Sequence, residues 1–172
     1  MTNDQRVLVG MSGGVDSSAC ALLLQRAGYS VFGATLDLCD SAASGSIDDA
    51  RAVAEKLGIP FAAYARRDAF ERCVMQYFAD AYSAGRTPNP CIQCNRHVKF
   101  EEMLRAADEL GCQYIATGHY ARVEQDEKSG RFLLKKGRNL AKDQSYVLYR
   151  LTQQQLSRTL MPLGEMESKD AI

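Results

Sequence analysis

Residues 10–18, Gly-Met-Ser-Gly-Gly-Val-Asp-Ser-Ser, decide the fold because of what precedes and follows them. The preceding run Arg6–Val9 is short and mostly apolar, as in a buried strand, and the following stretch Asp16–Ala27 has the pattern of a helix. A strand, a tight glycine-rich turn and a helix N-terminus together form an anion site, because glycine lets backbone N–H groups approach a phosphate and the helix dipole favours negative charge. The candidate donors are the backbone of Gly13 and Gly14 and the hydroxyls of Ser12, Ser17 and Ser18.

This loop lacks the lysine, followed by serine or threonine, that grips the outer phosphates in the common phosphate-binding loop, and it is not G-x-G-x-x-G either. Without that lysine, transfer of the terminal phosphate is disfavoured. The pattern S-G-G-x-D-S resembles instead the pyrophosphatase loop (PP-loop) of enzymes that cleave ATP between the α- and β-phosphates and adenylate an acceptor. A glycine- and serine-rich helix cap without a ligand is the alternative interpretation.

Composition favours one soluble domain. The chain has 172 residues, 46% of them hydrophobic, which is enough to bury a core. No apolar run reaches the roughly 18 residues of a membrane span, and the first six residues form no signal-peptide segment. The six cysteines are spread through predicted helices and strands, which favours a reduced setting over a disulfide framework. We therefore expect a cytoplasmic protein that does not contact a membrane.

The net charge is zero, which argues against a protein that coats DNA generally. The charges are unevenly distributed, however: residues 1–50 carry six acidic and two basic side chains, and residues 128–142 carry six basic and no acidic ones. A basic strip beside a neutral body fits a protein that grips one polyanion at one place. A solvated hairpin is an equally open interpretation of the same strip.

Strand and helix patterns alternate along residues 1–120, which predicts βαβ units and a Rossmann-like, doubly wound parallel sheet in an α/β fold. Ligands of such sheets bind beyond the carboxyl ends of the strands, so Thr117–Tyr120 should share a rim with the glycine-rich loop. The further predicted strands are Val31–Leu36, Pro60–Tyr64 and Tyr114–Thr117. The predicted helices after the first are Ile47–Leu57, following a loop Asp37–Ser46, then residues 68–83, then Asn95–Leu110.

The pattern changes after Tyr120, so we expect a boundary between a nucleotide-binding α/β domain, residues 1–120, and an extension, residues 121–172. A β-hairpin is predicted from Ala121–Glu124 and Arg131–Lys135. A helical segment should follow at residues 142–151 and a short helix at residues 153–160. The last five residues resemble the first turn of another helix. We therefore expect the extension to lead towards further domains of a longer or split protein.

A second stretch, Thr87–Asn95, holds two cysteines in a C-x-x-C spacing behind a rigid Pro-x-Pro loop. The predicted helix starts at Asn95, which puts Cys94 at a helix N-terminus, where a thiolate is stabilised and its pKa is lowered. A reactive thiol beside an ATP-cleaving loop indicates sulfur chemistry. The alternatives are a redox dithiol, half of a zinc site and two buried structural cysteines.

Four motifs in order resemble the tRNA-specific 2-thiouridylases, and together they cover nearly the whole chain. They are S-G-G-V-D-S-S at Ser12–Ser18, T-P-N-P-x-x-x-C-N at Thr87–Asn95, Y-I-A-T-G-H-Y at Tyr114–Tyr120 and K-D-Q-S-Y at Lys142–Tyr146. The resemblance implies the N-terminal catalytic domain of such an enzyme, with the adenine nucleotide alpha hydrolase or PP-loop type of fold. It also implies adenylation of C2 of the wobble uridine in Lys, Glu and Gln tRNAs, followed by displacement of AMP by a protein-bound sulfur.

The resemblance also implies site residues. Cys94 would be the catalytic nucleophile. The ATP site would be lined by Gly10, Met11, Ser12, Gly13, Gly14, Val15, Asp16, Ser17, Leu36 and Gly118. The target base would lie against Asn89, Pro90 and Cys91, and the tRNA would touch Lys142, Asp143 and Gln144. The cofactors would be ATP and Mg²⁺, with Asp16 either a ligand of that ion or the cap of its helix.

Two departures leave the mechanism open. The family's second cysteine, which accepts the persulfide, lies in a segment that this sequence does not contain, so we expect the activating part of the enzyme alone. Cys91 stands where many members have aspartate, so Cys91 and Cys94 could instead ligate an iron–sulfur cluster. The partners would be tRNA and a protein sulfur donor, either a cysteine desulfurase or a relay protein. Alternative functions are another PP-loop ligase or amidotransferase and a tRNA- or nucleotide-binding module without full activity.

Overall fold

The computed structural model describes residues 5–39 and 43–167. Its centre is a parallel sheet of five strands in the order β3-β2-β1-β4-β7, with a separate antiparallel hairpin β5-β6. The strands are β1 Arg6–Gly10, β2 Ser30–Asp37, β3 Phe61–Ala65, β4 Tyr114–Ala116, β5 Ala121–Gln125, β6 Phe132–Lys136 and β7 Thr159–Leu160. The predicted parallel α/β sheet is therefore confirmed.

Helices connect the strands of the parallel sheet. They are α1 Val15–Arg26, α2 Ala43–Leu57, α3 Arg67–Phe70, α4 Gln76–Ser83, α5 Pro90–Cys94, α6 Phe100–Glu109 and α7 Gln153–Ser157. A π-helical turn, Glu71–Met75, joins α3 to α4 without a break, and a second one, Asn95–Lys99, joins α5 to α6. Two short 3₁₀ segments, Ser145–Val147 and Pro162–Glu165, lie in the C-terminal part.

The sheet is covered on both faces. Alternate side chains of β1 point to opposite sides of the sheet, and each side packs in its own buried cluster. Val7 and Val9 pack with Cys20 and Leu24 of α1 in one buried cluster. Leu8 packs in the other cluster, which includes Phe100, Met103 and Ala107 of α6. This two-sided core holds α1 and α6 on opposite faces, so both approach the carboxyl ends of the strands.

The C-terminal part differs from the prediction in two places. The helical segment predicted at residues 142–151 is only the 3₁₀ turn Ser145–Val147 within a run of turns. The helix predicted at residues 153–160 ends at Ser157, because Thr159 and Leu160 pair in parallel with Ile115 and Ala116 of β4. A two-residue strand is too short for a period of two to appear in the sequence.

Two helices begin earlier than predicted. The loop expected to extend to Ser46 is shorter, since α2 begins at Ala43. The helix expected from Asn95 begins at Pro90 and is continuous to Glu109, because Asn89 caps it and proline is favoured in a first helical turn.

The predicted hairpin is confirmed, with Ala121 paired to Lys136 and Gln125 to Phe132. The division into residues 1–120 and 121–172 stays a prediction, and the helical turn expected at the last five residues lies outside the described residues. All six cysteines are free thiols. Among the described residues, none of the helices combines the length and the apolar character that crossing a bilayer requires.

Candidate functional site

The loop between β1 and α1 is held in shape by its own serines. Gly13 has a φ of +76°, and a Cβ there would lie 2.5 Å from Cβ of Asp49, so only glycine fits. The Ser17 hydroxyl donates to the Gly14 carbonyl oxygen at 3.0 Å and accepts the Ser12 N–H at 3.1 Å. The Ser18 hydroxyl donates to the same carbonyl at 2.9 Å. These bonds do not use the N–H groups of Gly13 and Gly14, and those of the first turn of α1 have no partner within a helix, so both sets are candidate donors to an anion.

The segment Thr117–Tyr120 lies directly against this loop, as its position after β4 predicted. A Cβ on Gly118 would lie 3.0 Å from the backbone nitrogen of Ser17, so glycine is required for the close approach. The Tyr120 hydroxyl donates to Oδ1 of Asp16 at 3.0 Å. Burial and this hydrogen bond raise the pKa of Tyr120 to about 12, so the phenol stays a donor at physiological pH. The expected shared rim is confirmed.

A cleft of about 330 Å³ opens at this rim. Seven of the predicted nucleotide-site residues line it: Gly10, Met11, Ser12, Asp16, Ser17, Leu36 and Gly118. Gly13 and Val15 instead line a second groove, between α1 and α2, and Gly14 is the N-cap of α1. Thr117 and His119, from the segment predicted at this rim, also line the cleft, as does Gln144, which was predicted as a tRNA contact. The lining residues that the sequence analysis did not select are Ala34, Thr35, Leu38, Ser46, Lys99 and Met103. A systematic choice of residues at the carboxyl end of β2 would have found Thr35 and Leu38.

The cleft contains one histidine, and that histidine is neutral. Burial, and then the charge of Lys99, lower the pKa of His119 to about 3. Its Nδ1 lies 2.8 Å from the Thr117 hydroxyl, and its ring stacks on Phe100 with 6.0 Å between the centroids. His119 therefore offers the cleft a neutral hydrogen-bonding ring and a flat surface rather than a charge.

The two cysteines occupy different positions on α5. Asn89 caps the helix by accepting the Cys91 N–H at 3.1 Å, and Pro90 is its first residue. Cys91 is thus in the first turn and exposed, whereas Cys94 is one turn further along and half-buried. The predicted place of Cys94 at the helix N-terminus is wrong, because the helix starts four residues before it.

The low pKa predicted for Cys94 is also wrong. Burial raises the pKa of this thiol, and the neighbouring Cys91 raises it as well. The charge of Lys99 and a hydrogen bond from the Lys99 backbone act in the opposite direction but do not reverse the shift. Cys94 is therefore a thiol at neutral pH in the free chain.

The residues predicted to touch tRNA do not form one surface of free side chains. Lys142 is exposed. Both oxygens of Asp143 are used within its own turn, where they accept N–H groups of Gly137 and Ser145 and the Ser145 hydroxyl. Burial alone would raise the pKa of Asp143, but these hydrogen bonds lower it overall. Gln144 accepts the Tyr120 N–H at 3.0 Å and lines the cleft, so it supports the predicted nucleotide site.

The basic strip of the hairpin is partly neutralised. Lys135 pairs with Glu124, and Arg138 pairs with Glu165. These acids lie outside residues 128–142, so their pairing does not appear in the local sequence. The strip therefore carries less free positive charge than its composition indicates.

Within residues 5–39 and 43–167, no group of three or more His, Cys, Asp or Glu side chains is arranged to hold a metal ion. Of the described residues that line the cleft, Asp16 is the one that carries a carboxylate. One of its oxygens accepts from Tyr120, so the other is available to a cation that a bound phosphate would also hold. Cys91 and Cys94 supply two thiols, and the cluster alternative stays a prediction.

Comparison with known proteins identifies relatives along the whole chain. The family model described as tRNA methyl transferase HUP domain matches residues 5–172. A protein of Clostridioides difficile named tRNA-specific 2-thiouridylase MnmA is 47% identical over 182 residues, which cover 100% of this chain and 50% of the relative. The protein of the same name from Acetivibrio thermocellus is 50% identical over 174 residues. That match covers 93% of this chain and 48% of the relative. The chain thus spans about half the length of these relatives.

Among solved structures, a protein of Methanocaldococcus jannaschii described as a predicted subunit of tRNA methyltransferase aligns with a TM-score of 0.51. The alignment covers 92% of this chain and 68% of the other, at 16% sequence identity. At that identity the likeness concerns the fold alone.

Proposed function

The chain belongs to the family described as the tRNA methyl transferase HUP domain, and from this premise we propose that it is the activating part of a tRNA-specific 2-thiouridylase. The observation that carries the proposal is the cleft in which the glycine-rich loop and Thr117–Tyr120 meet, one side of which continues into the helix of Cys94. Relatives that are 47% and 50% identical carry that enzyme's name, which supports the same assignment.

ATP occupies the cleft in this proposal. The N–H groups at the start of α1 hold the pyrophosphate part, because they lack helical partners and the helix dipole favours an anion there. Leu36 covers the adenine, and Gly118 leaves room for the nucleotide over the loop. Gly10, Met11, Ser12, Gly13, Gly14, Val15 and Ser17 give the loop its shape. Asp16 would hold a Mg²⁺, which when bound neutralises charge on the phosphates.

The reaction is adenylation. The oxygen on C2 of the wobble uridine of Lys, Glu or Gln tRNA attacks the α-phosphate, the bond to the β-phosphate breaks, and pyrophosphate leaves. The C2 oxygen then departs with AMP when sulfur attacks the carbon. A flipped-out base reaches such a site as in other enzymes that modify bases, with Asn89, Pro90 and Cys91 beside it.

Cys94 is the proposed nucleophile that carries or receives the sulfur. Its raised pKa means that it must lose a proton before attack, and the adjacent charge of Lys99 favours the thiolate. The sulfur comes from a protein donor, a cysteine desulfurase or a relay protein, or from an iron–sulfur cluster held in part by Cys91 and Cys94. Lys142 is the exposed cation proposed to touch the tRNA, while Asp143 and Gln144 support its turn.

The test is the fate of ATP labelled on its α-phosphate. The chain is incubated with Mg²⁺ and either an unmodified tRNA with uridine at the wobble position or the same tRNA with cytidine there. We expect labelled AMP, either bonded to the tRNA as its adenylate or released from it by hydrolysis, only with the uridine-containing tRNA. AMP formation that requires a small carboxylate and ignores tRNA would favour a different PP-loop ligase. Binding of ATP and tRNA without AMP formation would favour a binding module.

A further inference from the structure

The cleft contains one cationic side chain that no motif selected. Of the described residues that line it, Lys99 is the single lysine or arginine, and its charge acts on the neutral ring of His119. The glycine-rich loop itself supplies no lysine. A side-chain cation for the phosphates therefore has to come from another element, and Lys99 belongs to the helix that carries Cys94.

The local backbone positions Lys99 towards the cleft. It is the last residue of the π-helical turn Asn95–Lys99, and such a turn adds a residue and changes the direction of the side chains that follow. Phe100, the next residue, is completely buried in the core, so the helix is fixed at this point. Lys99 lines the cleft and lies on the helix that carries Cys94, and its charge acts on both Cys94 and His119.

The ammonium has no anionic partner within the described ranges. The ion pairs found there leave Lys99 out, although its side chain is half-buried. A partly desolvated charge without a partner is costly, and a phosphate oxygen would satisfy it with a charge-assisted hydrogen bond. The feature therefore indicates a position that suits an anion.

We propose that Lys99 binds the α-phosphate of the nucleotide, from the wall opposite the glycine-rich loop. This inference rests on the proposed function only in that the nucleotide occupies this cleft. The N–H groups of α1 hold the outer phosphates, and Lys99 approaches from the side of Cys94, where the group to be transferred must lie. Its charge stabilises the α-phosphate during attack and on the departing AMP.

The test compares the affinities of ATP, AMP and adenosine for the wild-type chain and for Lys99→Met, by titration calorimetry without tRNA. We expect ATP and AMP each to bind roughly 10- to 100-fold more weakly to the variant, which corresponds to the loss of one hydrogen bond to a charged group. Adenosine, which lacks phosphate, should bind both chains equally. Lys99→Arg should recover most of the lost affinity, and the exposed Lys128→Met is the matched control that should bind like wild type.

The remaining outcomes each overturn the inference. Weaker binding of ATP alone would move Lys99 to the outer phosphates. An equal loss for adenosine would mean that Lys99 only supports the structure, and an unchanged affinity for AMP would mean that it does not touch the α-phosphate. A wild-type chain that binds neither ATP nor AMP would contradict the proposed function as well, so the two failures are distinguishable.

Discussion

Asp16 and Tyr120 are 104 residues apart in sequence, yet their side chains share a hydrogen bond at the mouth of the cleft. That contact can be anticipated only in outline, because the parallel order of β1 and β4 brings the ends of both strands to one rim. Which atoms meet depends on side-chain geometry that no motif encodes. The same limit applies to Gln144: nothing in the sequence indicated that it accepts a hydrogen bond from the Tyr120 N–H, and its contact with tRNA stays a prediction.

For Cys94, the sequence identified a candidate reactive thiol but did not predict its position in the helix or its burial. The C-x-x-C spacing singled out two cysteines ahead of a helix, and both are free thiols that lie within that helix. The expected helix start was wrong because Asn89 and Pro90 begin the helix one turn earlier, and burial then raises the pKa that a helix N-terminus would lower. Burial depends on the packing of distant segments and cannot be inferred from the local sequence.

His119 gives a prediction about pH at this scale. Its pKa is about 3 in the folded chain and about 6.5 in an unfolded one. Between these values the unfolded state binds more protons, so His119 makes the free energy of unfolding fall as the pH decreases from about 6.5 towards 3. From about pH 7.5 to about pH 5, we expect this residue to remove about 2 kcal/mol of stability.

Urea unfolding at the two pH values measures this effect. His119→Asn keeps a polar side chain beside Thr117 but cannot take up a proton, so its stability should fall less over the same interval. The measured quantity is the fall in the free energy of unfolding of the wild type minus that of the variant, because other titrating groups contribute equally to both chains. Identical falls in the wild type and the variant would mean that His119 is not buried in its neutral form.

At the scale of elements, the helix of Cys94 is joined to the C-terminal part of the chain by buried polar contacts. The Asn95 amide donates to the Val147 carbonyl at 3.2 Å, and Gln155 donates to the Arg96 carbonyl at 2.9 Å. Gln155 also closes the capping box of α7 with Thr152. The 3₁₀ turn Ser145–Val147 and α7 are therefore held against the helix of Cys94.

Asn95→Ala tests this connection. The change leaves the buried Val147 carbonyl without its donor, which should lower the free energy of unfolding by about 1–3 kcal/mol. Gln76→Ala is the control, because that exposed amide bonds only to Asp80 on its own helix and its loss should change stability by less than about 0.5 kcal/mol. Urea denaturation measures both, and equal effects would show that Asn95 does not tie the two elements together.

Elements with a strong sequence period were predictable, and those fixed by distant partners were not. The strands β1 and β2 and the hairpin follow from apolar runs and turn residues. The strand β7 exists because Thr159 and Leu160 find a free edge of β4. Both π-helical turns leave the helical pattern of the sequence unbroken, so the sequence does not indicate that Lys99 ends such a turn and lines the cleft.

At the scale of the molecule, the strand order β3-β2-β1-β4-β7 places the glycine-rich loop at the centre of the sheet. Helices α1 and α6 pack on opposite faces of the sheet and reach the same rim. Helix α1 provides its first backbone N–H groups there, and the π-helical turn before α6 provides Lys99. The fold class could be predicted from the alternation of strands and helices. The shape of the cleft required the register and packing of the complete sheet.

The most direct test of this account is a crystal structure of the chain with Mg²⁺ and an ATP analogue that cannot be cleaved between the α- and β-phosphates. We expect the adenine against Leu36, the outer phosphates at the start of α1 beside Ser12 and Ser17, and the α-phosphate within hydrogen-bond distance of Lys99. A nucleotide bound instead in the groove between α1 and α2, or with its triphosphate turned away from the glycine-rich loop, would contradict the account.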